Sequence, residues 1–188
     1  MKVSCEYSHL DGSCILKKKF PEIDKEIYDV IFDVVGAKSK VSKEKNRKGT
    51  LLYSPSNFKS EFKTGFESRG FDEIIESYLY PTCGNVRRVK GFKKIDFFKN
   101  KIGVQTQFGK YSFMLYDLAK FQYFYLQNKI EVGVEILPSY ILQKQMSSGM
   151  GYGEQLISDI KLLKRQFPTL PIKIIVIDID DSENQMHL

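Results

Sequence analysis

The chain has 188 residues, 42% of them hydrophobic and 28% charged, with a formal net charge of +6 and a pI near 9.0. That length allows one domain, 1–188, with a sizeable core, and the basic balance points to a polyanionic partner, nucleic acid before an anionic membrane. Three cysteines without a CxxC spacing and only two histidines argue against a structural zinc site. Unpaired thiols fit a reducing, cytoplasmic setting, no apolar run reaches the length of a membrane span, and the first thirteen residues lack the apolar core of a signal peptide.

In chain order, residues 3 to 16 read as a strand, a turn at Asp11-Gly12 and a short apolar return through Cys14, Ile15 and Leu16. From Pro21 to Val35 the apolar residues Ile23, Ile27, Val30, Ile31 and Val34 recur at three and four, the period of a helix that starts at Pro21 and ends at Gly36. Lys38 to Lys48 reads as a basic loop, open either to solvent or to nucleic acid, followed by a strand from Thr50 to Tyr53. Phe58, Phe62 and Phe66 at spacing four form the core stripe of a second helix. Phe71 to Tyr80 reads as a short helix carrying Glu73 and Glu76. Arg87, Arg88, Lys90, Lys93 and Lys94 then lead into a hairpin. Beyond it come an aromatic-rich helix from Tyr111 to Gln127, a strand from Ile130 to Leu137, a small-residue loop from Gln143 to Gly153, a helix from Gly153 to Phe167, a buried strand from Pro171 to Ile179 and an acidic tail. The order specifies an α/β (α+β) domain with a central mixed sheet flanked by helices. The aromatic bulk of the 111–127 helix exceeds what one small core absorbs, which points to a partner helix in a homodimer.

Chemistry concentrates in the hairpin, Lys94 to Tyr111. A turn at Lys99-Asn100 would pair Phe98 with Lys101 and Asp96 with Gly103, placing Asp96, Gln105 and Gln107 on one face. An acid beside two amides is costly to bury unless a cation joins it. Asp, a second position nine residues on and a polar residue two further along is how a magnesium phosphodiesterase site can be built; the same pattern also describes a plain polar strand face. No GxSxG elbow, no P-loop and no GxGxxG after a strand offers a competing site.

The chain resembles the BglII/BstYI group of Type II restriction endonucleases, of the PD-(D/E)xK nuclease superfamily, and BstYI in particular. The resemblance is carried by EYSHLDG (6–12), SKEK (42–45), LLYSP (51–55), IDFFKNKIGVQTQFGKYSFMLYDL (95–118), KIEVGVEILP (129–138), MSSGMGYGE (146–154) and the closing PIKIIVI strand. It implies a homodimeric Mg²⁺-dependent endonuclease that cuts double-stranded DNA at a short palindrome, GATC-centred in relatives. It places the metal-bridging acid on Asp96, a carbonyl ligand on Thr106, the catalytic and metal-binding acid on position 105, and the residue replacing the usual lysine on Gln107. It places base contacts on Lys110, Ser147 and Ser148, and the dimer interface on the 111–127 helix. Two features depart from the group. The segment from Gly70 to Asp96 is short, and position 105 is Gln where the group has Glu. Either Gln105 is an engineered change that traps uncut DNA, our first reading, or the natural protein is inactive or has moved its acid, with Glu73 and Glu76 the local candidates. The rival readings are a catalytically inactive sequence-specific DNA-binding protein on a nuclease scaffold and a structure-selective repair nuclease.

Overall fold

Two central strands that are apolar almost throughout set the architecture, because only a sheet covered on both faces buries such runs. The computed structural model describes residues 1–85 and 87–180; the acidic tail lies outside them from residue 181. The elements are β1 (Lys2–His9), α1 (Gly12–Lys19), α2 (Pro21–Asp33), β2 (Lys38–Val41), β3 (Leu51–Tyr53), α3 (Pro55–Glu67), β4 (Asp72–Pro81), β5 (Arg88–Lys99), β6 (Ile102–Thr106), α4 (Tyr111–Leu126), β7 (Val132–Pro138), α5 (Tyr140–Lys144), α6 (Gly153–Leu163) and β8 (Ile172–Asp178). Six strands form one sheet in the order β1-β8-β7-β6-β5-β4, and β2 pairs with β3 in a small second sheet. Strands β6, β7 and β8 run parallel and the remaining pairs are antiparallel, so the central sheet is mixed and flanked by helices as expected.

One face of the sheet packs Ile102, Val104, Val134, Ile136, Ile175 and Ile177 against α1, α2 and the phenylalanine stripe of α3. The other packs Ile172, Ile174, Val176 and Leu137 against Met114, Leu118, Phe121 and Phe124 of α4 and Leu156 and Ile160 of α6. The aromatic surplus of α4 is therefore smaller than its sequence suggests. Most of it enters this chain's own core, and Phe113, Tyr116 and Leu126 remain exposed.

Three expectations are corrected. Cys14 to Leu16 lie in α1, not in a return strand. The run is too short for its period to show, and Lys17, Lys18 and Lys19 favour a helix C-terminus. Phe71 to Tyr80 is not a helix: Asp72–Pro81 form edge strand β4, paired with β5 from Asp72↔Phe98 to Pro81↔Arg88. Ile74, Ile75, Tyr78 and Tyr80 are good strand formers but show no alternation, and the two glutamates at spacing three mimic a helical face. The basic 38–48 segment is partly structured, with β2 at its start and a short helical turn at Lys45–Arg47.

Candidate active site

The hairpin forms, with its turn one residue later than expected. Asn100 and Lys101 adopt φ of 47° and 67°, the left-handed pair of a two-residue turn, so Lys99 pairs with Ile102, Phe98 with Gly103 and Phe97 with Val104. The pairing moves by two residues and brings Asp96 beside Gln105 instead of Gly103, but Asp96 lines a cleft with Thr106, while Gln105 and Gln107 do not line it. Strand β5 also carries an extra residue here: its β4 partners step from Asp72↔Phe98 to Ile74↔Ile95. Such a bulge redirects side chains. Ile95 enters the α4 side of the core, Phe97 the α3 side, and Asp96 sits between them.

Asp96 opens into a cleft of about 650 Å³ that it lines with Glu73, Lys94 and Thr106, and with Lys59 and Lys63 of α3. The cation that an acid in this setting requires is Lys94. Its ammonium lies 3.1 Å from Asp96 Oδ1 and 3.2 Å from Glu73 Oε2, bridging the two carboxylates. Partial burial works against the Lys94 charge, but Asp96 and Glu73 more than offset it, and its pKa is raised. Glu76 is directed elsewhere, in an ion pair with Lys129.

Gln105 is buried, and its amide is spent on the bulge. The Asp96 N–H donates to Gln105 Oε1 at 3.2 Å, and Gln105 Nε2 donates to the Lys94 carbonyl at 3.4 Å. Gln107 Nε2 donates to Asp117 Oδ2 at 2.5 Å, and Lys120 pairs with the other oxygen of Asp117 at 2.7 Å. Burial raises the Asp117 pKa, opposed by Lys120 and Gln107 and reinforced by the charge of Asp96. One strand over, Glu135 is in register with Gln105, fully buried, and neither carboxylate oxygen has a hydrogen-bond partner. Burial first, and the Asp117 charge second, push its pKa well above the ordinary carboxylate range. Glu135, Asp117 and Lys120 escaped the sequence reading; the signal for Glu135 was a single charge inside the apolar run VGVEILP.

The residues expected to contact bases come together. The backbone of Lys110 bridges Met150, and the Gly151 N–H donates to the Gly109 carbonyl at 2.9 Å, so Lys110 and the 146–151 loop share one rim. The basic 38–48 segment is docked on the same loop. Lys40 Nζ donates to Ser147 Oγ at 2.6 Å, the Ser148 N–H donates to Glu44 Oε1 at 2.7 Å, and Arg47 reaches the Lys144 carbonyl at 2.7 Å. The Ser148 amide, then Arg47, lower the Glu44 pKa to about 2. This rim follows the C-terminal ends of the parallel strands β6 and β7, where open α/β sheets bind ligands.

The mixed-sheet fold is shared with solved structures, among them two of a restriction endonuclease. The crystal structure of restriction endonuclease BglII complexed with a DNA 16-mer superimposes with a TM-score of 0.75 at 20% identity, covering 96% of this chain and 79% of that one. Free BglII gives 0.67 at 19% identity, covering 96% and 81%. No curated protein matches the chain. The family model for restriction endonuclease BglII/BglIII matches residues 5–177, and the chain belongs to that family. Among the described residues, no helix is long and apolar enough to cross a membrane, and no group of three or more His, Cys, Asp or Glu is gathered to hold a metal ion.

Proposed function

We propose that this protein is a Type II restriction endonuclease, BstYI-like within its family, which cleaves double-stranded DNA at a short palindrome with Mg²⁺ as a cytoplasmic homodimer. The observation that carries the reading is Asp96: an acid placed by a bulge in a cation-lined cleft, on the hairpin where the family keeps its metal-bridging carboxylate. The donors fit a hard cation in part. Asp96 already holds one cation, the Lys94 ammonium, and Gln107 N–H donates to Ile136 of β7, which by backbone alternation turns the Thr106 carbonyl toward β5 and Asp96. Gln105 occupies the position of the family's acid, but its oxygen is engaged by the Asp96 N–H. A bound divalent cation would neutralise charge on the scissile phosphate and acidify a water.

The chain's own residues divide the remaining work. Asp117 fixes which end of the Gln107 amide faces away, leaving Gln107 Oε1 to orient a water. Lys59, Lys63 and Lys94 hold phosphate oxygens by charge. Lys110, Ser147 and Ser148 read base edges from a rim that the Glu44 and Arg47 contacts stiffen. Phe113 and Tyr116, exposed three residues apart on α4 beside that rim, suit the contact with a second copy.

The test is to incubate the Gln105→Glu protein with long DNA and Mg²⁺ and to sequence the ends. Cleavage at one recurring palindrome is expected. A folded, DNA-bound protein that leaves the DNA intact overturns the reading. One observation favours the second reading, an inactive sequence-specific DNA-binding protein. The Gln105 amide both donates and accepts at the bulge, a pair of bonds that an ionised Glu cannot reproduce, which suits Gln as the native residue. Under that reading Gln105→Glu gains no cleavage, while specific binding persists without metal.

A further inference from the structure

Besides Asp96 the cleft is lined by three carboxylates that the family pattern does not assign, Glu67, Asp72 and Glu73, and Glu73 shares a cation with Asp96. We propose that Glu73 is a metal ligand in its own right, so that a divalent cation is held between Asp96 and Glu73 with Gln105 in place. This rests on the nuclease reading of the cleft.

Three observations carry it. First, Glu73 and Asp96 already share one cation, with both oxygens within 3.2 Å of the Lys94 nitrogen. Second, both line the cleft that Thr106 also lines, and both are partly exposed, at 54% and 41%, so an ion from solvent can reach them. Third, Glu73 is the acid that shares Lys94 with Asp96, whereas the cleft's other carboxylates, Glu67 and Asp72, make no ion pair with Lys94, and Glu67 pairs with Lys63. Gln105 is bonded to the backbone of the bulge, and Glu76 is paired with Lys129. Glu73 reaches the Lys94 that Asp96 also holds because β4 is a strand laid alongside β5. Two carboxylates and a backbone carbonyl are the oxygen donors a hard cation takes. The Lys94 ammonium marks the place, and a cation entering there competes with it.

The test is a titration of the full-length chain with Mn²⁺, following the electron paramagnetic resonance signal of the free ion, with and without duplex DNA. Glu73→Gln and Asp96→Asn are each expected to weaken Mn²⁺ binding by about tenfold or more, since each removes a charge from the donor set. Glu76→Gln is the control and is expected to stay within about twofold of the parent, its partner being Lys129. Lys94→Met, which removes the competing ammonium, is expected to tighten binding severalfold. If Asp96→Asn weakens binding while Glu73→Gln binds like the parent, Glu73 is not a ligand and the inference is overturned, with the nuclease reading intact. If neither substitution matters, the cleft does not hold the metal and both fall.

Discussion

Two adjacent buried strands each carry a charge in an otherwise apolar run, and the protein treats them in opposite ways. Lys173 of β8 points toward α2, fully buried, and is answered: Asp24 lies at 2.8 Å, Glu6 at 3.9 Å, and the Tyr28 ring covers the ammonium at 4.5 Å. Glu135 of β7 points toward α4, equally buried, and nothing donates to it. Beside it, Asp117 is divided between Lys120 and Gln107, and Gln107 belongs to the hairpin of the site. The first cluster ties β1, α2 and β8 together, and its charges are used up in doing so. The second leaves an acid under-compensated next to Gln105, in register with it across the sheet. Buried charge that is fully paired holds a fold; buried charge left unpaired costs stability, and such sites cluster at functional centres.

The largest effect that separates the two is expected from Lys173→Met. It leaves Asp24 and Glu6 facing an apolar interior without their cation, and the loss is about 3 kcal/mol in a urea titration, the lower end for a broken buried pair because both acids keep some access to water. A loss below about 0.5 kcal/mol would mean that the β8 cluster does not hold the fold.

Glu135→Gln is expected to act in the opposite direction. A carboxyl whose folded pKa is raised binds more protons folded than unfolded, so stability is complete below the unfolded value and falls as pH rises toward the folded one. The amide does not titrate. The variant therefore gains about 1–2 kcal/mol over the parent at pH 8, the scale of an uncompensated buried polar group, and the gain shrinks toward pH 4. Unfolding midpoints across that range measure it, and a variant less stable at every pH would show that Glu135 is satisfied after all.

The smallest effect belongs to the rim. Glu44→Gln removes the charge that accepts from the Ser148 amide and Arg47. Faster hydrogen exchange at Ser148 and a DNA affinity weaker by only a few fold are expected, with the unfolding midpoint unmoved, since exposed contacts contribute little. An unchanged exchange rate would contradict the docking of the two loops.

Much of this was legible from residues. Periodicity found α2 and α3, apolar runs found β7 and β8, and the hairpin was placed to within one residue at its turn. What escaped depended on partners far along the chain. Nothing local distinguishes FDEIIESYLY as a strand until β5 lies beside it. The bulge at Asp96 is set by the two-against-three count between β4 and β5, which no window of sequence contains. Asp96 therefore stood out as a candidate acid, whereas the Lys94 ammonium that joins it to Glu73 did not. The use of the Gln105 amide to clip the bulge became visible only with the bulge itself.

The central claim is that Asp96 serves chemistry and Lys173 serves the fold. Its most direct test is the cleavage rate of Asp96→Asn, made in the Gln105→Glu protein, on DNA carrying the site mapped by end sequencing, alongside its urea midpoint. Cleavage is expected to fall by at least about a hundredfold, as when a metal site is disrupted, with the midpoint within about 0.5 kcal/mol of the parent. Retained cleavage, or a protein that no longer folds, would contradict it.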